Sequence, residues 1–306
     1  MVRYSKLPFR LLLHSYAVDV IYTPMILAHE FIRSSIARDS DFTTCPAEQP
    51  SAMPIDDRTS RRPALIAQFA SSDPEEFARA AEMIAPWVDG VDLNCGCPQS
   101  WAMKEGIGCS LMGDADTVAA IVSAAKKRLS RVDGGRGRSV SVKIRVHKDL
   151  AVTEHWMRTV EAAGVDYFTV HGRLKSQRSS TPPDYEAIRS LKNGAGVPIF
   201  ANGDAYSLED VKKIAEITDA DGVMAARGLL ENPTMFAGDQ KVPVEAVRKF
   251  LESAVRSPIP FQLVLHHVGE MTARMEGMGK REKRRLMECA DMMDLIDFIE
   301  GKWGLR

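Results

Sequence analysis

Six polar side chains stand at the ends of six successive apolar runs: Gln68, Asn94, Lys143, His171, Asn202 and Arg227. Each alone has an ordinary explanation, since an amide can close a loop, a histidine can sit satisfied in a core and a lysine can snorkel. Three amides, an amine, an imidazole and a guanidinium in sequence suggest instead one shared polar site. The last two ends carry Asn202-Gly203-Asp204 and Ala226-Arg227-Gly228. There glycine lets backbone N–H groups approach an anion and Arg227 adds a cation, a pattern that suits a phosphate. Between Asp92 and Gln99 the chain reads Asp-Leu-Asn-Cys-Gly-Cys-Pro-Gln, and Lys104-Glu105-Gly106-Ile107-Gly108-Cys109 follows. A cysteine on such a loop can be a nucleophile, a metal ligand or a proton donor. Metal binding is the weakest choice, because Cys95 and Cys97 are too close in sequence and no histidine pair accompanies them. Cys95 reads as a buried structural thiol. Cys97 reads as an acid, since a thiol with an ordinary pKa of about 8.5 is mostly protonated near pH 7.

These residues need a scaffold that gathers strand ends. Strands are predicted at Val18 to Tyr22, Ala64 to Phe69, Val91 to Asn94, Val140 to Arg145, Tyr167 to His171, Pro198 to Asn202 and Gly222 to Ala225, with amphipathic helices between them. Asp73-Pro74-Glu75-Glu76 and Ser207-Leu208-Glu209-Asp210 are helix starts, and the segment from Thr43 to Arg62 reads as a long loop. This alternation predicts an α/β fold, a (β/α)8 TIM barrel whose strand one is truncated at the N-terminus to the stub Met1-Val2. An open doubly wound sheet is the competing fold, but neither G-x-G-x-x-G nor a Walker loop is present. After Pro243 the pattern is wholly helical, with apolar residues three and four apart through Phe250, Leu251, Val255, Leu263, Val264, Val268, Leu286, Met287, Met293 and Leu295. The chain therefore divides into a barrel over 1–238 and an all-α domain over 239–306.

Composition narrows the function. The 306 residues exclude a small stapled scaffold, and no window approaches the roughly 18 apolar residues of a membrane span. Five cysteines without a CxxC pair exclude a zinc ribbon and point to a reducing compartment, the cytoplasm or the nucleus. Lys+Arg 40 against Asp+Glu 41 leaves a net charge of -1, so nucleic acid would be met by a local patch and not by the whole surface. Near the N-terminus Pro8 and Arg10 interrupt the apolar run, which argues against a signal peptide.

The chain resembles the flavin-dependent tRNA-dihydrouridine synthases, and among them the eukaryotic branch that acts at positions 20a and 20b of the D-loop. The likeness is carried by Met1 to Arg10 (Met-Val-Arg-Tyr-Ser-Lys-Leu-Pro-Phe-Arg), Tyr22-Thr23-Pro24-Met25, Asn94 to Gln99, His171-Gly172-Arg173, Ala201 to Asp204 and Ala225 to Gly228. It implies reduction of uridine to 5,6-dihydrouridine, with FMN in the barrel mouth reduced by NADPH. Hydride would pass from the flavin N5 to C6 of the uracil, and Cys97 would protonate C5. By the same resemblance Lys143 and His171 join Cys97 as catalytic residues. FMN would be held by Met1, Gln68, Lys143, His171, Asn202, Gly203, Asp204, Ala226 and Arg227. Asn94 would orient the uracil. Ile107 and Cys109 depart from the family, which leads one to expect tyrosine or phenylalanine and then alanine.

A uridine in folded tRNA must be extruded to reach the flavin, so the enzyme needs contacts on both sides of it. Arg173, Lys175 and Arg178 are expected to meet RNA phosphates, and Lys280, Arg281 and Arg284 in the tail form a second grip. No membrane and no obligate protein partner is expected. Two other functions suit the residues: a flavin-dependent reductase of free pyrimidines resembling dihydroorotate dehydrogenase, or a tRNA-binding protein with impaired catalysis.

Overall fold

The computed structural model describes residues 3–50, 62–132 and 137–304. Its strands are β1 (Val20–Tyr22), β2 (Ile26–Leu27), β3 (Ala64–Ala70), β4 (Gly90–Asn94), β5 (Ser139–Val146), β6 (Tyr167–Leu174), β7 (Ile199–Asn202) and β8 (Gly222–Met224). Seven of them pair in parallel in chain order, β1 and then β3 to β8, with the short β2 beside β3. Parallel strands buried on both faces read as continuous apolar runs, and β4 is buried at every position. That is why the seven strands predicted from the sequence are found within three residues of their expected ends, while the two-residue β2 was not expected and β6 runs on past His171 to Leu174.

Helices return the chain between strands: α1 (Leu7–Leu13), α2 (Ala28–Arg33), α3 (Ser35–Asp41), α4 (Pro74–Ile84), α5 (Ser100–Lys104), α6 (Ala115–Val132), α7 (Leu150–Ala162), α8 (Tyr185–Gly194), α9 (Leu208–Thr218) and α10 (Arg227–Glu231). The expected caps are made. Asp73 Oδ1 accepts the Glu76 N–H at 2.8 Å and Ser207 Oγ accepts the Asp210 N–H at 3.1 Å. In the predicted loop after β2, Glu48 is fully buried and forms a two-pronged pair with Arg10 of α1 at 2.7 and 2.9 Å. The architecture is a (β/α) barrel with β1 and β8 as the outermost strands of its sheet. The stub Met1-Val2 and residues 51–61 of the loop lie outside the described residues.

One device repeats at the N-terminal ends of the strands. Asp89, Asp166 and Asp221 each precede a strand, and each carboxylate accepts a backbone N–H from the strand before it: Leu65 at 2.7 Å, Val140 at 2.6 Å and Ile199 at 2.7 Å. Each is also paired with a cation, Arg62, Lys126 or Lys192. Strand starts are thus locked by charge-assisted bonds, which leaves the opposite ends for chemistry.

The tail comprises α11 (Val244–Arg256), α12 (Phe261–Thr272), α13 (Lys280–Met287) and α14 (Met292–Trp303). It packs on α1 through His267, whose buried ring stacks on Phe9 with centroids 4.6 Å apart and meets Tyr4 edge-on at 5.9 Å. The tail residues Phe250, Val264, Val268, Leu286 and Leu295 join the same apolar core as the barrel. Val255, Met287 and Met293, predicted on the apolar face, are exposed instead, because their helices are covered on one side only.

Burial pushes the His267 pKa down to about 3, with the neighbouring His266 adding to the shift. The neutral ring therefore contributes stability above the ordinary histidine pKa of about 6.5, and this is lost as pH falls toward 3, where the unfolded chain binds the extra proton. The thermal midpoint is expected to drop between pH 7 and 4, and His267→Phe should reduce that slope. An unchanged slope in the variant would contradict this.

Candidate active site

The C-terminal ends of β3, β4, β5, β7 and β8 open into one cavity of about 720 Å³. Gln68, Asn94, Cys97, Lys143, Asn202, Ala226 and Arg227 all line it. It extends along the two outermost strands, where Val20, Ile21, Tyr22, Gly222, Val223 and Met224 line it together with Phe9, Leu13 and Phe236. An adjoining cavity of about 180 Å³ is lined by His171, Gly203, Asp204, Tyr206, Arg227 and Gly228, so the predicted strand-end residues do converge.

A run of hydrogen bonds holds the Cys97 loop to the barrel interior. Asn94 Oδ1 accepts the backbone N–H of Gly96 at 3.1 Å and of Cys97 at 2.9 Å. Asn94 Nδ2 donates to Gln68 Oε1 at 2.9 Å, and Gln68 Nε2 donates to Asp92 Oδ2 at 2.9 Å. Ser141 Oγ donates to the other Asp92 oxygen at 2.7 Å. From the far side, Arg145 Nε donates to the Gly96 carbonyl at 3.1 Å while its NH1 group donates to the Leu174 carbonyl at 2.8 Å. The Cys109 N–H closes the loop onto the Cys97 carbonyl at 2.9 Å. Gly108 has a φ of +63°, and a Cβ there would come within 2.6 Å of that carbonyl, so only glycine lets the two segments meet. Burial pushes the Cys95 thiol well up and the Cys109 thiol to about 11, which keeps both protonated.

Lys143 donates from Nζ to Asn202 Oδ1 at 2.9 Å, and Asn202 Nδ2 donates to the Met224 carbonyl at 2.8 Å. Burial lowers the Lys143 pKa to about 8, opposed by the Asp92 carboxylate and assisted by Arg145. The adjoining cavity is cationic. Asp204 is shared between Arg227, at 2.6 Å, and Arg173. Two guanidinium groups against one carboxylate leave an excess positive charge. Gly228 packs so closely that a Cβ would lie 2.1 Å from the Ala205 carbonyl oxygen, which brings this turn against the next.

Arg173 is a correction. Expected to meet RNA, it is 2% exposed and spends its donors on His171, Asp204 and the Thr181 and Ser179 carbonyls. Strand β6 runs on to Leu174 past a register irregularity beside Arg145, which turns Arg173 inward. Lys175 and Arg178 remain exposed on the following loop. Lys280, Arg281 and Arg284 are exposed on α13, 8 residues long, with Arg284 paired to Glu288 at 2.9 Å. Met1 lies outside the described residues. Asp92 and Arg145 were not singled out from the sequence. Arg145 could have been, because it lies two residues beyond Lys143 and so shares its face of β5.

The fold and the site define a class: a (β/α)-barrel enzyme with a thiol and a lysine on a pocket at the strand ends, beside a cationic turn. Residues 1–293 match the family model described as Dihydrouridine synthase (Dus). The chain is 41% identical over 299 residues to the tRNA-dihydrouridine(20a/20b) synthase of Schizosaccharomyces pombe, covering 97% of this chain and 85% of that protein. It is 37% identical over 305 residues to the tRNA-dihydrouridine(20a/20b) synthase-like protein of Homo sapiens, covering 100% and 90%. It is 38% identical over 310 residues to the Saccharomyces cerevisiae tRNA-dihydrouridine(20a/20b) synthase, covering 100% and 79%. The chain belongs to the dihydrouridine synthase family of enzymes.

The state of His171 follows from its neighbour. Arg173 can only donate, and its NH1 group lies 3.2 Å from His171 Nε2, so the proton of the ring sits on Nδ1. Burial, with Lys143, Arg145, Arg173 and Arg227 around it, lowers the His171 pKa to about 2. His171 is thus a neutral N–H donor and not an acid at neutral pH. Imidazole nitrogen NMR should show the neutral ring from pH 8 down to pH 5, and an imidazolium signal at pH 5 would contradict the assignment.

Proposed function

We propose that this enzyme reduces uridine to 5,6-dihydrouridine in tRNA, at positions 20a and 20b of the D-loop, using FMN with NADPH as reductant. The observation that carries the reading is the meeting, on one cavity, of the Cys97 thiol, the donors Gln68, Asn94 and Lys143, and the cationic turn around Arg227. That donor set fits a flavin, whose pyrimidine edge is rich in acceptors and whose phosphate is an anion. Gln68, Lys143, His171 and Asn202 would hold the ring, and Gly203, Ala226 and Arg227 the phosphate, with Asp204 fixing Arg227. When bound, FMN supplies the hydride that adds to C6 of the uracil.

The chain's own residues then have separate tasks. Addition at C6 builds enolate charge through C5 and the C4 carbonyl, and the Cys97 proton is delivered to C5. The Asn94 and Arg145 bonds to the loop hold that sulfur at the cavity. Asn94 turns an N–H toward a uracil oxygen. Lys143, as an ammonium, stabilises negative charge beside it. Lys175 and Arg178 on the barrel, with Lys280, Arg281 and Arg284 in the tail over 239–306, would grip the tRNA on either side of the extruded uridine. Their loss should weaken binding to any tRNA and flatten its salt dependence. The enzyme would work in the cytoplasm or nucleus, with no membrane and no obligate protein partner. No helix of the described residues is long and apolar enough to cross a membrane.

Purified protein is expected to be yellow or to become so with added FMN. Cys97→Ala should retain the flavin and lose roughly 10²- to 10⁴-fold in dihydrouridine formation, read by mass spectrometry of tRNA nucleosides. A colourless protein that takes up no FMN would sink the proposal. FMN affinity, followed by flavin fluorescence, should fall as pH rises through about 8, where Lys143 loses its proton. In Lys143→Met that fall should be absent; a persisting pH dependence would assign it to another group.

A further inference from the structure

Asp92 is buried completely inside the barrel, on a strand whose other residues are also buried, and it lines neither cavity. A carboxylate in that position is costly unless both oxygens are used. Both accept: Oδ2 from Gln68 Nε2 at 2.9 Å and Oδ1 from Ser141 Oγ at 2.7 Å. Neither partner is near it in sequence, for the separations are 24 and 49 residues.

The orientation of the two amides beyond it is settled from both ends. Two backbone N–H groups point at one end of the Asn94 side chain, so that end must be the oxygen. The nitrogen end of Asn94 then faces Gln68, which must present its oxygen, and this turns the Gln68 nitrogen toward Asp92. Only an acceptor at position 92 satisfies the last link. With the run complete, Gln68 and Asn94 each keep one N–H uncommitted among the described residues, on side chains that line the cavity. Lys143 has donors alone. These three side chains therefore offer N–H groups to the cavity, and the part of a ligand that meets them must bring acceptors.

We infer that Asp92 is a positioning residue: by anchoring Gln68, and through it Asn94, it presents the free N–H of each amide to the cavity and holds the Cys97 loop in place. It touches neither ligand nor reacting atoms and acts through those two amides. The ligand half of the inference rests on the reading of the cavity as a flavin and uracil site. The loop half does not.

The test uses the full chain with two readouts. One is the affinity for FMN. The other is the rate of Cys97 alkylation by iodoacetamide without flavin, followed by peptide mass spectrometry. Asp92→Leu removes the acceptor, and is expected to weaken FMN binding and speed Cys97 alkylation by about tenfold each. Asp92→Asn keeps an oxygen for Gln68 and can give its N–H to Ser141 Oγ, so both readouts should stay within about threefold of the parent. In a Gln68→Ala background, Asp92→Leu should add little, since the link it breaks is already gone. If Asp92→Leu does not fold by circular dichroism, Gln68→Leu removes the same link from its other end, and the same increase in alkylation is expected.

Three results would overturn the inference. Asp92→Leu could leave both readouts unchanged. Asp92→Asn could be as damaging as Asp92→Leu, which would make the charge and not the acceptor the essential feature. The effect of Asp92→Leu could persist undiminished without Gln68. A parent protein that binds no FMN would overturn the flavin reading separately, while the alkylation arm would still decide the role of Asp92 in holding the loop.

Discussion

A polar group inside a barrel of parallel strands must find its partner within the barrel, because no water is at hand to replace it. The bonded run from Asp92 through Gln68 and Asn94 to the Cys97 N–H is the site's answer to that constraint. It crosses from the middle of β4 to the neighbouring β3 and back to the loop that leaves β4. The thiol is therefore referred to the rigid sheet and not to the loop's own conformation, which suits the proton donor we propose it to be.

The two ends of the sheet are used differently. At the N-terminal ends, Asp89, Asp166 and Asp221 tie each strand start to its neighbour with carboxylate bonds. At the C-terminal ends the polar groups are amides, a lysine and arginines, and they converge on one cavity. Parallel strands make this division possible, since all their C-terminal ends lie on the same side. Charge is distributed accordingly: burial, with Lys143, Arg145, Arg173 and Arg227 around it, keeps His171 neutral, while the Asp92 carboxylate acts on Lys143 and Asp204 pairs with Arg173 and Arg227. In a chain of net charge -1, the positive field of the site is a local construction.

The tail is bound to this arrangement by aromatic packing. His267 lies among Tyr4, Phe9 and Phe250, so the helix that opens the described chain is the surface on which the tail docks. Phe9 also lines the cavity. The same helix thus serves the site on one side and the tail on the other, and the exposed cations of α13 are carried on a body that shares the barrel's core.

Much of this was legible in the sequence. Buried parallel strands are written as short apolar runs, and a barrel collects whatever ends them, so Gln68, Asn94, Lys143, His171, Asn202 and Arg227 could be named without coordinates. The Cys97 loop was equally plain, because its glycines and cysteines are contiguous. What only the tertiary structure decided are the partnerships. The position of Arg173 near His171 suggested a surface cation, but the continuation of β6 turns it inward to Asp204, 31 residues away. The neutrality of His171 depends on burial and on four cations, brought from two other strand ends and its own. Asp92 reads in sequence as one polar residue in an apolar strand, and its role exists only where β3, β4 and β5 lie side by side. Side-chain type and local period are carried by the chain itself; hydrogen-bond partners, burial and the resulting protonation states depend on distances across the fold, which no local pattern encodes.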